Sequence, residues 1–219
     1  MPIKKTRSSI KKTRHLVAVG AAATALLAVP AAAQARESEP SVCPQVPSEQ
    51  VFADFGDLSL YAPVPGGGFE PETPEWTLDS EAQVVEGNNA LPRGDSADHR
   101  SLQLPPNADA TSPPFCVSVD HPTLRLFAQE TSGDSETDLR VDIIYTGKRG
   151  NEKVRNSGHL DNTEHAFSGQ WAPSDELALA LHLPKNFIRR GGGDVSLRVT
   201  SEGGTWLVDD VYYDPRSSR

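Results

Sequence analysis

Apolar residues recur at every second position in many short stretches of the chain. Leu124, Leu126 and Ala128 alternate with mostly polar neighbours, and residues 138–146 repeat the pattern. Alternation over four to eight residues is typical of a strand with one buried face. The stretches that show such a strand pattern are 58–61, 101–104, 115–119, 123–130, 138–146, 194–200 and 206–213.

Turn-forming residues separate these stretches. Gly, Pro, Asn and Asp cluster at 65–68, 105–107, 132–134, 147–150, 191–194 and 202–204, where they supply turn conformations and local hydrogen bonds. Residues 174–183 contain good helix formers after the N-cap candidate Ser174, but leucine falls at every second position, so we predict a strand. Many short strands and few helices predict an all-β fold, a jelly-roll β-sandwich of two antiparallel sheets.

The N-terminus has the three parts of a secretory signal peptide. Six Lys and Arg residues precede an apolar run at 16–29, and Ala33-Gln34-Ala35 supplies a cleavage signal. We therefore predict a signal peptide at 1–35 and a secreted, extracellular protein. Residues 36–49 contain three prolines and no apolar period, which indicates a flexible lead-in to a single domain at 50–219.

Removal of the signal makes the chain more acidic. The formal net charge is −9, and six of the 21 basic residues but none of the 30 acidic ones lie in residues 1–35, so the remaining 184 residues carry −15. This balance argues against nucleic acid and against anionic lipid as partners. No second apolar run approaches the roughly 18 residues of a membrane span. We expect a soluble monomer.

The two cysteines, Cys43 and Cys116, are interpreted as one disulfide, because an oxidising compartment favours the bond. Two unpaired thiols are the alternative. The pairing would close a loop of 73 residue steps, which is worth roughly 4 kcal/mol in the chain-entropy account, and would hold the lead-in against the sandwich.

Three motifs occur in a recognisable order: residues 64–70 followed by Trp76, residues 94–104, and residues 204–212 with the sequence Gly-Thr-Trp-Leu-Val-Asp-Asp-Val-Tyr. They resemble the jelly-roll carbohydrate-binding modules of bacterial glycoside hydrolases and their galactose-binding-like relatives. The whole chain, including both cysteines, is also similar to uncharacterised secreted proteins of high-GC Gram-positive bacteria. The resemblance implies an exported, non-enzymatic module that binds a glycan or another cell-envelope partner.

The same resemblance implies a structural calcium ion at one end of the sandwich. The matching ligands would be the Gly68 carbonyl, Glu70, and Asp209 or Asp210, since Ca²⁺ prefers six to eight oxygens. Adjacent residues of a regular strand face opposite ways, so only one of the two aspartates would bind. Alternatively, these carboxylates are solvated or accept hydrogen bonds from turn amides.

Sugar binding needs a flat aromatic side chain beside polar groups. Trp76 and Trp206 occupy motif positions expected in the core, whereas Trp171 and Tyr145 are the freer candidates. Because aromatic residues make up only 6% of the chain, a cell-surface structural or protein-interaction domain without sugar binding is the alternative function.

Other motifs carry less weight. The Arg93-Gly94-Asp95 triplet is a short match that arises by chance, and the acidic residues 134–138 lack the spacing of an EF-hand. No HExxH, GxSxG or P-loop motif is present, and His159 and His165 flank a predicted loop without a metal-site pattern. The sequence therefore predicts no enzymatic activity, although an unrecognised hydrolase site on this fold is a third possibility.

Overall fold

The computed structural model describes residues 43–71, 75–89, 99–132, 137–161, 166–179, 183, 185, 187 and 191–214. All of them fall within one unit, which extends from Ser38 to Arg219. The predicted signal peptide and the Arg93–Asp95 triplet lie outside the described residues. Within these ranges, no helix is long and apolar enough to cross a membrane.

Thirteen strands and one short 3₁₀ helix have bounds within the described residues, and Lys185 and Phe187 are helical. The 3₁₀ helix spans Ala53–Phe55. The strands, in chain order, are β1 Ala62–Pro63, β2 Thr77–Asp79, β3 Gln83–Glu86, β4 Arg100–Leu104, β5 Asp109–Thr111, β6 Phe115–Val117, β7 Thr123–Ser132, β8 Asp138–Thr146, β9 Glu152–Asp161, β10 Ala172–Pro173, β11 Leu177–Ala178, β12 Gly193–Glu202 and β13 Thr205–Tyr213.

The strands form two antiparallel sheets. The seven-stranded sheet has the order β10-β7-β13-β4-β3, with β1 beside β13 and β11 beside β7; the six-stranded sheet has the order β2-β5-β12-β8-β9, with β6 beside β12. The chain passes from one sheet to the other between β1 and β2, β2 and β3, β4 and β5, β6 and β7, β7 and β8, β9 and β10, β11 and β12, and β12 and β13. This repeated crossing is the connectivity of a jelly roll. The predicted all-β jelly-roll sandwich is confirmed.

The core lies between the sheets and follows the predicted alternation. Leu124 and Leu126 of β7 face Val141 and Ile143 of β8 within one buried cluster, to which Trp206 also belongs. Trp76 and Trp206 are both buried, as expected from their motif positions. Burial of these apolar side chains is the main favourable contribution to folding.

The predicted disulfide is confirmed, which excludes two unpaired thiols. Cys43 and Cys116 are bonded with their Cα atoms 5.3 Å apart, and the bond fixes residue 43 to β6. Gly192 makes room for it: its φ is +139°, and a Cβ there would lie 2.8 Å from the Cys43 sulfur. Only glycine combines that backbone conformation with so little space.

Several segments differ from the strand predictions. In 58–61 only Tyr61 pairs, through an isolated bridge to Glu49, because the Ser59 amide donates to the Asp57 carboxylate instead. In the described part of 174–183 only β11 is a strand. Six strands lie outside the predicted stretches: the short β1, β2, β3, β5 and β10, and the long β9, whose outward positions are polar because it forms an edge of its sheet beside β8.

Candidate functional site

A row of neutral side chains crosses the outer face of the seven-stranded sheet. Leu207 of β13 lies opposite Gln129 of β7 and opposite Gln103 of β4, and Gln103 lies opposite Gln83 of β3. The next residues on the central strands belong to the buried core, so these four side chains point outward. We call Gln83, Gln103, Leu207 and Gln129 the amide row.

Trp171 lies at one end of the amide row. Ala172 and Pro173 pair with Ala128 and Phe127, so the next position of the same register places Trp171 beside Gln129. The indole is half-buried, because it packs against an aromatic cluster on the same face of the sheet. The chain thus presents one flat aromatic side chain, held by packing, next to an amide.

The amides of the row keep hydrogen-bonding capacity for a ligand. Gln83 donates from Nε2 to Oε1 of Gln103 at 2.7 Å, which orients both side chains with a single bond, whereas one primary amide can take part in about four. Five adjacent strands, β10 to β3, carry the row and Trp171. At about 4.8 Å between strands, this surface is roughly 19 Å long.

The row continues into a groove at the edge of the sandwich. Gln83 lines this groove together with Glu75, Trp76 and Arg100. Trp76 is fixed there, because its Nε1 donates to the Pro65 carbonyl at 3.1 Å and its ring contacts Phe69. The groove adds charged groups to one end of an otherwise neutral surface.

The chain segment that follows Cys43 covers the part of this face next to Trp171. Phe52 stacks on Phe127 with ring centroids 5.2 Å apart and meets Tyr61 edge-on at 4.8 Å. The Arg125 guanidinium lies 4.2 Å from the Phe52 ring centroid. This cluster is the support against which Trp171 packs, so the order of the aromatic surface depends on it.

A partly buried ion pair between Arg125 and Asp57 stabilises the aromatic cluster. Arg125 donates to the Asp57 carboxylate at 2.9 Å and to the Ser174 carbonyl at 2.8 Å. Burial would raise the pKa of Asp57, but hydrogen bonds from Tyr61, Ser59 and Arg125 lower that pKa to about 2. Burial, together with the hydrogen bond and charge of Asp57, raises the pKa of Tyr61. The carboxylate and the neutral phenol therefore persist across the physiological pH range.

Asp209 and Asp210, the two aspartates expected to face opposite ways, instead converge on one amide. Nδ2 of Asn89 donates to Asp209 at 3.1 Å and to Asp210 at 2.8 Å. The cause is a β-bulge between Asp209 and Tyr212, in which Asp210 takes a φ of +51°. A bulge adds one residue and turns its side chain relative to a regular strand.

The other two predicted calcium ligands, Gly68 and Glu70, lie in the loop after β1. Glu70 accepts the backbone N–H groups of His99 and Arg100 at 2.7 and 3.0 Å through one carboxylate oxygen, which is the alternative that the sequence left open. Gly68 lies near Asp210, because a Cβ on Gly68 would be 3.9 Å from its Oδ1. The oxygen-rich group that the structure brings together is thus Asp209, Asp210 and Asn89, with Gly68 beside it.

Trp171 and Tyr145, the two aromatic residues predicted to contact sugar, do not share a face. Tyr145 belongs to β8 in the six-stranded sheet, is only 7% exposed and packs edge-on against Phe187. Trp171 precedes β10 in the seven-stranded sheet. The structure therefore joins Trp171 to the amide row and separates it from Tyr145.

Comparison with known proteins finds similarity to solved structures and not to family models or curated sequences. The sequence matches no family model, and no curated protein is significantly similar to it. The CBM22-1 xylan-binding domain of Paenibacillus barcinonensis Xyn10C is 12% identical, with a TM-score of 0.45 over 71% of this chain and 92% of that one. The C-terminal family 22 carbohydrate-binding module of Clostridium thermocellum Xyn10B gives 12% identity and 0.44 over 70% and 94%. The C-terminal CBM6 of LamC from Zobellia galactanivorans gives 11% and 0.35 over 61% and 99%.

Proposed function

We propose that the protein is a non-enzymatic, carbohydrate-binding module that holds an extracellular or cell-wall glycan on Trp171 and the amide row. The observation that carries the proposal is the register that aligns Trp171, Gln129, Leu207, Gln103 and Gln83 across one exposed sheet face. A linear ligand can follow such a row over several strands.

The chemistry of the row matches that of a neutral sugar chain. A pyranose ring has an apolar face that packs on an indole, and its hydroxyl groups need both donors and acceptors. The side-chain amide of glutamine supplies both from one group, and Leu207 offers an apolar surface between Gln129 and Gln103. A site of this composition recognises hydroxyl groups rather than charge.

Electrostatics favour an uncharged glycan over an anionic one. The chain carries a net charge of −9, and −15 without residues 1–35, and the amide row contains no cationic side chain. Sulfated, phosphorylated or uronic-acid polymers are repelled by such a field. Neutral polysaccharides are therefore the class of ligand to test first.

The experiment is calorimetry and affinity electrophoresis with a panel of neutral and anionic polysaccharides. Trp171→Ala and Gln103→Ala should each weaken binding of a neutral glycan. Val154→Ala, which removes an exposed apolar side chain from the other sheet, is the control and should bind like the wild type. Because Trp171 packs on the aromatic cluster, the half-exposed Gln103 gives the cleaner answer. Normal affinity in both row variants, or no binding to any glycan, would overturn the proposal.

A protein-interaction role is the second candidate, and one observation favours it. Leu58 and Phe55 are 68% and 42% exposed on the segment that covers the sheet, and exposed apolar side chains of this size are common in protein interfaces. Cross-linking to cell-surface proteins that disappears in Leu58→Ser, with no glycan bound, would favour this role.

We also propose that calcium stabilises the bulge of β13. Asp209 is fully buried and, with Asp210 and the amide oxygen of Asn89 after a half-turn of that side chain, offers the oxygen donors that Ca²⁺ prefers. Adding Ca²⁺ should raise the midpoint of thermal unfolding and a chelator should lower it, while Asp210→Asn should weaken the response. A midpoint of thermal unfolding that neither calcium nor the chelator changes would contradict the proposed calcium site.

The proposed location is outside the cell. The basic and apolar N-terminal pattern supports export, and the Cys43–Cys116 disulfide fits an oxidising compartment. N-terminal sequencing of the protein recovered from culture medium, with a start at residue 36, is the test.

A further inference from the structure

Three potential metal ligands meet at one end of the outer face of the six-stranded sheet. Asp138 begins β8, Glu202 ends β12 directly opposite it, and His159 lies on β9 opposite the residue two places after Asp138. The residues next to them along the strands, Leu139 and Leu160, are buried, so the three polar side chains point to solvent on the same face.

The distances between the ligand atoms fit an ion better than direct hydrogen bonds. His159 Nδ1 lies 3.8 Å from Oδ2 of Asp138 and 3.8 Å from Oε2 of Glu202, and all three ligand atoms lie within 4.8 Å of one another. A hydrogen bond would need about 2.7–3.2 Å. Two ligands of a tetrahedral Zn²⁺, each at about 2.0–2.2 Å, lie roughly 3.4 Å apart. Small side-chain rotations would close the remaining difference.

The charge around this group also favours a cation. Asp138 lies directly opposite Glu202 on one side and opposite Asp161 on the other, so three carboxylates cross three adjacent strands. Like charges placed directly opposite are destabilising. Arg140 contacts Glu202 through the other carboxylate oxygen, Oε1, and leaves Oε2 directed at His159. A divalent ion at this position would offset the remaining repulsion.

A second residue can orient the imidazole. The Asn156 amide lies 3.2 Å from Nε2 of His159. The same amide nitrogen, Nδ2, donates to Oδ1 of Asp142 at 3.3 Å. When a metal occupies Nδ1, Nε2 carries a proton and needs an acceptor, and a half-turn of the Asn156 amide provides Oδ1 there in exchange for the hydrogen bond to Asp142. Metal-binding histidines are commonly held in this way by a partner on the other ring nitrogen.

We propose that Asp138, His159 and Glu202 form a surface site for a first-row transition-metal ion, with zinc as the ion to test. The imidazole ligand distinguishes it from an all-oxygen calcium site such as the one proposed at Asp209 and Asp210. Three protein ligands leave one tetrahedral position for water. His159 is 40% exposed, so the ion reaches the site directly from solvent.

The test is calorimetric titration of chelator-treated, untagged protein with Zn²⁺, and with Co²⁺ followed by visible absorption. Asn156→Ala should weaken zinc binding by roughly 10-fold, as expected for loss of an orienting partner, and His159→Ala by more than that. His99→Ala, which removes an exposed histidine elsewhere, should bind zinc like the wild type.

The competing outcomes are distinct. Loss of zinc binding in His159→Ala and Asp138→Asn, with Ca²⁺ unable to compete, would support the site. Equal zinc affinity in wild type and His159→Ala, or full displacement by Ca²⁺, would overturn it. Both variants alter partly exposed side chains, and the circular dichroism of each reports whether the fold is retained.

Discussion

The ion pair beneath the aromatic cluster makes a quantitative prediction for Asp57→Asn. The Asp57 and Arg125 side chains are only 16% and 10% exposed, and the carboxylate also accepts hydrogen bonds from the Tyr61 hydroxyl at 2.6 Å and the Ser59 amide at 2.9 Å. Asparagine keeps the shape and one acceptor oxygen but removes the charge.

The pKa of Asp57 sets the size of the effect. Its fall from 3.8 to about 2 corresponds to about 2.5 kcal/mol of stability, at about 1.4 kcal/mol per pKa unit. Arg125 remains bonded to the Ser174 carbonyl and stays over the Phe52 ring, so the loss should stay below the roughly 3–5 kcal/mol seen when a fully buried charge loses its only partner.

Urea unfolding, followed by tryptophan fluorescence at several pH values, measures the difference. Because the folded-state pKa lies below the unfolded one, the contribution of Asp57 is complete above about pH 4 and is lost as the pH falls toward about 2. Asp54→Asn, an exposed neighbour on the 3₁₀ helix, is the matched control and should be nearly neutral. A loss below about 0.5 kcal/mol at neutral pH, within the range of ordinary surface substitutions, would refute the reasoning.

Two further predictions concern other parts of the fold. Replacing Cys43 and Cys116 with serine should lower the free energy of unfolding by about 4 kcal/mol, because the disulfide closes a loop of 73 residue steps; a loss under about 1 kcal/mol in urea unfolding would contradict this. Burial lowers the pKa of His121 below 6.5, so the unfolded chain takes up the proton first and stability falls as the pH drops below about 6.5. His121→Asn keeps an acceptor for the Ser118 N–H that now bonds to Nδ1 at 2.8 Å and should remove this fall; an unchanged pH dependence would exclude His121 as its source.

The sequence predicts which residues face outward but not which of them become neighbours. The alternation in β4, β7 and β13 places Gln103, Gln129 and Leu207 on the solvent side of their strands. Their alignment depends on pairings between strands that are distant in the chain. Such pairings are set by packing of the whole sandwich, so a local pattern cannot reveal the row.

The bulge in β13 shows a second limit. The sequence pattern predicts Asp209 and Asp210 as successive residues of a regular strand, which would direct one carboxylate to each face. The structure inserts an extra residue there, with a positive φ at Asp210. A non-glycine residue in that conformation has no marker in composition or periodicity, although it decides which oxygens come together.

The edge strand β9 shows a third limit of prediction from the sequence. Its exposed, polar residues lack the apolar alternation that is typical of a strand, so the sequence pattern predicts a loop beside His159. Once β9 pairs with β8, the register brings His159 to the carboxylates of Asp138 and Glu202. The candidate metal site therefore depends on the one long strand that hydrophobic periodicity does not predict.

The two outer faces of the sandwich differ in chemistry, and this difference predicts how the two proposed sites behave together. One face carries the neutral amide row and Trp171, with the Arg125–Asp57 pair beside them, while the other carries ion pairs such as Arg198 with Asp109 and with Glu152. Packed sheets lie about 10 Å apart, and the described side chains between these are a close-packed apolar core. Neither ligand touches the core, so their binding free energies should add to within about 0.5 kcal/mol. Glycan affinity measured with and without saturating Zn²⁺ tests this: a larger change would mean that the sandwich transmits a rearrangement between its faces.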